Sequence, residues 1–239
     1  MAPRFHTLSD GRRIAFRHWP GEGPAAVFLP GYMSDMAGGK ATALTAWAQT
    51  HGRECLLLDY SGCGESPGSF ADGTLSRWAE EVLALVESRL AGPVVLVGSS
   101  MGGWLMLLVG RALGARLAGL VGVAAAPDFT DWGFTDEQKA TLERDGRLSR
   151  GEQLTTLAFW QTGEALKLLG SEMAIDCPVR LVHGERDEDV PSSVPAILMG
   201  RLRSADVQLK LIKNGGHRLS EPHEIAAVLN TVAELLEPK

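Results

Sequence analysis

The run Val94-Val95-Leu96-Val97-Gly98-Ser99-Ser100-Met101-Gly102-Gly103-Trp104-Leu105-Met106-Leu107-Leu108 decides how this chain is read. It joins a short apolar run rich in β-branched valine to a longer apolar segment of helix formers, with room between them only for a tight turn. Residues 98–102 match Gly-x-Ser-x-Gly. A strand that turns directly into a helix around such a pentapeptide holds the central serine in a strained conformation, its hydroxyl pointing out of the sheet edge. Glycines on either side are required because the backbone passes too close for a Cβ. The helix start also aims free N–H groups and a partial positive charge at an oxygen reacting there. Ser100 therefore reads as a nucleophile.

The same expression occurs a second time, at Gly64-Glu65-Ser66-Pro67-Gly68. The residue after a nucleophile of this kind donates its backbone N–H to an oxyanion, and Pro67 has none. No strand runs into this segment and no helix follows at once, so Ser66 reads as a loop residue.

Outward from residues 94–97, short apolar runs recur at 25–29, 55–58, 117–123, 179–182 and 207–212, mostly separated by segments of helical period. Trp78, Val82, Leu85, Val86 and Leu90 fall on one helix face. Strands apolar on both faces and alternating with helices predict a parallel sheet covered on each side. Residues 5–19 alternate about Asp10-Gly11 and predict an antiparallel hairpin at the N-terminal end. The expected class is α/β, a mostly parallel central sheet with helices on both faces, in a single domain over residues 1–239.

Residues 127–177 depart from the alternation, being far longer than one crossover helix needs. Thr135 with Gln138 forms a capping-box pattern and Gly146 a stop, which predicts a helix over 136–145. Leu154, Leu157, Ala158 and Leu166, with Phe159 and Trp160 beside them, suggest a second helix. An insert at the carboxyl end of a sheet strand lies where ligands bind in open α/β sheets. It is expected to form a helical cap, with Phe129, Trp132, Leu157 and Trp160 offered to a substrate.

A serine nucleophile needs a base, and the base an orienting carboxylate, in the chain order serine, acid, histidine for this architecture. His183, His217 and His223 follow Ser100. His183 closes an apolar run and is assigned to structure, His223 opens the last helix and faces solvent, and His217, after Gly215-Gly216, is the base. Asp187, on the polar turn after the strand at 179–182, is the preferred acid; Asp128 and Asp189 are its rivals. The oxyanion donors are expected to be the backbone N–H groups of Met101 and Tyr32, with Met33 as the fallback for the latter.

With these residues in place, the chain resembles the α/β-hydrolase superfamily over nearly its whole length. The segments PGYMSDM (30–36), DYSGCGESPG (59–68) and VGSSMGGWL (97–105) are similar to the branch typified by abhydrolase-domain-containing protein ten. That resemblance implies a serine hydrolase that removes palmitoyl groups from protein cysteines or cleaves acyl glucuronides. Ser100, Asp187 and His217 match the family's nucleophile, acid and base. The expected substrate is an acyl thioester or ester, including an S-acylated protein. A carboxylesterase for small or medium esters and a non-catalytic ligand-binding relative are the alternatives. The family's animal members are mitochondrial, but here the first strand begins almost at residue 1, and the expected location is cytoplasmic.

Composition narrows the remaining classes. A net charge of −6 argues against a nucleic-acid surface. Cys55, Cys63 and Cys177 show neither a disulfide framework nor zinc spacing. No apolar run reaches membrane-spanning length, and residues 1–16 lack the apolar core of a signal peptide. Gly38-Gly39-Lys40 suggests a phosphate loop, but Ser34 and Ala41 stand where that motif needs Gly and Ser or Thr. No metal or cofactor is expected.

Overall fold

Central strands that are apolar on both sides demand a helical layer on each face, and the computed structural model, which describes residues 2–237, has both. In chain order the strands and helices are β1 (Arg4–Thr7), β2 (Arg13–Trp19), β3 (Glu22–Leu29), α1 (Gly39–Thr50), β4 (Arg53–Leu58), α2 (Leu75–Arg89), β5 (Val94–Ser99), α3 (Met101–Leu113) and β6 (Leu117–Val123). There follow α4 (Phe129–Trp132), α5 (Asp136–Asp145), β7 (Arg147–Arg150), β8 (Gln153–Thr156), α6 (Leu157–Ala165), β9 (Val179–Gly184), α7 (Ser193–Arg201), β10 (Val207–Ile212) and α8 (Pro222–Leu236).

Among the described residues, eight strands form one sheet in the order β1-β2-β4-β3-β5-β6-β9-β10. β1 and β2 form the expected antiparallel hairpin, with Phe5 opposite Ala15 and Gly11 at φ 86° in its turn. β2 joins β4 antiparallel, and every pairing from β4 to β10 is parallel. The strand period of two divides the core. Leu56 and Leu58 of β4 pack with Trp78 of α2 and Trp104 of α3, while Cys55 and Leu57 pack with Leu44 of α1 and Val232 of α8. Burying each such side chain fully contributes about 1.5–3 kcal/mol. All three cysteines are free. Among the described residues no helix is long and apolar enough to cross a membrane.

Between β6 and β9 the insert holds α4, α5 and α6 and also a two-stranded ribbon. α5 spans the predicted residues, with Thr135 Oγ1 accepting from Gln138 N and Thr135 N donating to Gln138 Oε1. After Gly146, however, β7 and β8 form an antiparallel ribbon turning at Gly151, φ 60°. Leu154 belongs to that ribbon and Leu157 opens α6, whose N-cap Thr156 accepts from Phe159 N. The leucine spacing that suggested one helix therefore spans a strand–helix junction. Helical spacing does not distinguish the two when the cap residue is overlooked.

Candidate active site

The carboxyl ends of β3, β5, β9 and β10 converge, and the loops leaving them carry the polar groups of interest. Ser100 stands between β5 and α3 at φ 54°, ψ −120°, a conformation that L-residues rarely adopt. Neighbouring structure holds it there: Ser100 N donates to Val123 O, and Ser100 O accepts from Ala126 N. A Cβ at Gly98 would run into the Gly102 carbonyl, and one at Gly102 into the carbonyls of Leu29 and Pro30. The turn thus admits no side chain at either flank.

The loops after β9 and β10 are laced together. Arg186 N donates to Gly215 O, Glu185 N to Ile212 O, and Asn214 N to the Glu185 carboxylate. That lacing brings His217 between Asp187 and Ser100. His217 Nδ1 lies 2.9 Å from Asp187 Oδ2 and 3.1 Å from Oδ1, and Nε2 lies 3.0 Å from Ser100 Oγ. The carboxylate of Asp187 is shielded from solvent and accepts from the backbone N–H groups of Asp189 and Val190. Burial pushes its pKa up, but the hydrogen bonds from His217 and Val190 and the two nearby imidazoles outweigh that, and the net shift is downward. The arrangement can move a proton from a serine hydroxyl to an imidazole whose other nitrogen faces a fixed anion.

The rival acids lie elsewhere in the hydrogen-bond network. Asp128 is buried at φ 57° and accepts from Leu168 N and Leu169 N, tying the start of the insert to its end. Asp189 is exposed and offers Asp187 only its backbone N–H. His223 is exposed at the start of α8, as expected. Asp187, Asp189 and His217 are close enough together to ligate a cation, yet both His217 nitrogens already face Asp187 and Ser100.

On the other side of Ser100 runs the loop after β3. A Cβ on Gly31 would lie 3.3 Å from Ser100 Cβ, so this backbone passes directly beside the hydroxyl. The amides of Tyr32 and Met101 make no hydrogen bond among the described residues. The loop is held from below: Tyr60 Oη donates to Pro30 O, and Asp59 Oδ1 accepts from Met36 N at 2.7 Å. It is also held from above, since Tyr32 Oη donates to Leu154 O of β8. Burial pushes the Tyr32 phenol up to about 12, so it remains a neutral donor.

Of the four side chains expected to meet a substrate, all are half-buried. Phe129 packs its ring against Tyr32, Trp104, Phe134 and Phe159. Trp132 and Trp160 donate their indole N–H groups to Pro127 O and Thr130 O. Leu157 donates its backbone N–H to Gly146 O. Three further residues that hold the site escape the sequence reading. Lys40, noticed only for the failed phosphate-loop pattern, donates from Nζ to Arg218 O beside His217. Asp59 and Tyr60 sit in DYSGCGESPG, which carried the resemblance but no assigned role.

A family model described as the alpha/beta hydrolase family matches residues 26–228. The human protein named palmitoyl-protein thioesterase ABHD10, mitochondrial, is 34% identical over 98% of this chain and 79% of its own length. Its namesake from Mus musculus is 33% identical over 98% and 82%. The solved structure of alpha/beta hydrolase domain-containing protein 10 from mouse superposes with a TM-score of 0.94 at 32% identity, covering 99% of each chain. These relatives overturn the expected cytoplasmic location, since their names place them in mitochondria. That expectation rested on the lack of an apolar leader and on the early first strand, and neither property separates the cytosol from the mitochondrial interior. Matched by the family model over most of its length and by these relatives throughout, the chain belongs to the alpha/beta hydrolase family, in the branch of ABHD10.

Proposed function

We propose that this hydrolase cleaves acyl thioesters, and more slowly esters, in two steps through an acyl-enzyme on Ser100. His217 takes the Ser100 proton as the hydroxyl attacks the carbonyl, and Asp187 holds the imidazole in the right tautomer. The backbone N–H groups of Tyr32 and Met101 receive the oxyanion; losing a donor of this kind costs roughly 2.7–4 kcal/mol of barrier. The thiol or alcohol leaves, and His217 then activates the water that releases the acid. A thiol departs readily as thiolate because its pKa is only about 8.5, so thioesters ask little of the general acid.

The single observation that carries this reading is Ser100 Oγ at 3.0 Å from His217 Nε2, from a residue held at φ 54°. Thioester preference, with an S-acylated protein as substrate, is drawn from the name of the relatives, palmitoyl-protein thioesterase. We assign residues 127–177 the role of a cap within the single domain. The side chains of Phe129, Trp132, Leu157 and Trp160, each partly exposed, are assigned to contact with an acyl chain. A matched panel of acyl thioesters and oxyesters, from two to sixteen carbons, tests the substrate class. The expected result is kcat/KM rising with chain length and higher for the thioester of each pair. A flat profile across both series would replace this reading with a general carboxylesterase.

A further inference from the structure

Beside Asp187 stands a second imidazole, which approaches the same carboxylate oxygen as His217. His183, on β9, is 1% exposed. Its Nε2 lies 3.1 Å from Val190 O and 3.5 Å from Asp187 Oδ2. A carbonyl oxygen can only accept, so Nε2 carries the proton and Nδ1 is a bare lone pair. That Nδ1 has no hydrogen-bond partner among the described residues. An unpartnered buried acceptor costs about 1–3 kcal/mol. Leucine or phenylalanine would fill the space without that cost, but neither could supply the N–H.

The N–H has a specific task. Val190 donates its own N–H to Asp187 Oδ1 at 2.8 Å, while its carbonyl accepts from His183. Pro191 follows, which restricts the backbone of Val190 and leaves the next nitrogen with no hydrogen. Asp187, Val190 and His183 therefore close a ring of contacts next to the bond from Asp187 to His217. We propose that His183 is a positioning residue, whose neutral Nε2–H, donated to the Val190 carbonyl, fixes the Val190 turn and through it the carboxylate plane of Asp187 that receives His217 Nδ1–H. The assignment rests on the reading of Ser100, His217 and Asp187 as the proton relay. It fits the charge balance: burial lowers the His183 pKa, so the ring is neutral and leaves the Asp187 charge to His217. Asp187 and His217 are the titratable groups that act on it.

Measurements on the full chain test this. In the wild-type protein, long-range 1H–15N correlation should find His183 as the Nε2–H tautomer; an Nδ1–H tautomer would overturn the proposal without any variant. His183→Leu should lower kcat roughly 10–100-fold, the scale of a small misplacement of catalytic groups. KM should stay within about twofold, because substrate contacts are untouched. The downfield proton resonance of the His217–Asp187 bond should shift or broaden with it. His183→Gln, which offers an N–H at similar reach, should recover most of kcat; a Gln variant as slow as the Leu variant overturns the proposal, as does a folded Leu variant with wild-type kcat. Ser100→Ala assayed alongside separates the two readings. Fluorophosphonate labelling that persists in Ser100→Ala refutes the relay itself, whereas labelling lost there with unchanged kcat in His183→Leu refutes only the positioning.

Discussion

Two pentapeptides in this molecule obey the same Gly-x-Ser-x-Gly pattern, and their serines live opposite lives. Ser100 lies on the bend from β5 into α3, and its hydroxyl meets an imidazole. Ser66 is buried after β4, where its hydroxyl donates to Asp59 O at 2.6 Å and accepts from Ala15 N at 2.7 Å. Both of its hydrogen-bonding capacities are occupied by backbone, so it stitches β2 to the loop that follows β4. At residue 100 the strained backbone satisfies its own N–H and C=O and leaves the hydroxyl free for chemistry. The motif letters therefore specify a tight turn, and what precedes and follows decides whether that turn displays a nucleophile or a staple.

The largest expected effect lies at the first serine. Ser100→Ala should reduce kcat roughly 10⁶-fold, the scale seen when a nucleophile of this type is removed. Its melting temperature should match wild type, since the backbone bonds of residue 100 remain. Steady-state kinetics with a thermal melt on the same sample checks both halves; activity surviving within tenfold would break the comparison at its first term.

A second contrast concerns the two buried aspartates that competed for the role of acid. Asp187→Asn should cost roughly 10⁴-fold in kcat by favouring the wrong imidazole tautomer. Asp128→Asn should leave kcat near wild type and lower stability, because Asp128 ties Leu168 and Leu169 to the start of the insert. If Asp128→Asn were the slower enzyme with an unchanged melt, the roles assigned to the two carboxylates would be reversed.

Ser66→Ala gives the mirror image of the first test. It orphans the Ala15 N–H and the Asp59 carbonyl as partners of a buried hydroxyl, and an orphaned buried group costs about 1–3 kcal/mol. In a domain of this size that is a fall in melting temperature of roughly 2–4 °C per kcal/mol. Turnover at a temperature well below the melt should be unaffected. A loss of kcat beyond severalfold would give Ser66 a part in catalysis that its contacts do not.

How much of this could be read in advance depended on whether a residue acts through its neighbours in sequence or in space. β6 and β10 span the predicted residues because β-branched runs bounded by turn residues are local signals. α5 does likewise, because its capping box and its stop at Gly146 are local too. Pro67 excluded Ser66 as a nucleophile by covalent structure alone. The staple role of Ser66 was hidden, because Ala15 is distant in sequence and paired only by the sheet. Lys40 shows the same limit: its partner is the backbone of Arg218, and a carbonyl leaves no trace in side-chain identity. Its place at the end of an apolar run marks His183 as an interior residue, but the contact with Asp187 depends on how the loop after β9 folds back.

The smallest effect separates the two regions by their response to acid. His183 is held neutral by burial, with its folded-state pKa below the ordinary 6.5. Above pH 6.5 neither the folded nor the unfolded chain protonates it, so it contributes no pH dependence there. As pH falls below 6.5 the unfolded imidazole takes a proton that the folded one refuses, so stability declines until the folded value is passed. One proton sets a ceiling of about 1.4 kcal/mol per pH unit. Asp187 acts in a separate window: its folded pKa is lowered, so its contribution is present above 3.8 and is lost only as pH falls through that lowered value. Melting temperatures between pH 7.5 and 5 should therefore fall in wild type, and fall less steeply in His183→Gln. Ser66→Ala carries no titrating change, so its curve should lie below wild type and parallel to it. A staple removed shifts stability at every pH, whereas a buried imidazole removed changes the slope. Parallel curves for all three proteins would mean that His183 is charged alike in both states, and the burial that distinguishes the Ser100 neighbourhood would have no electrostatic consequence.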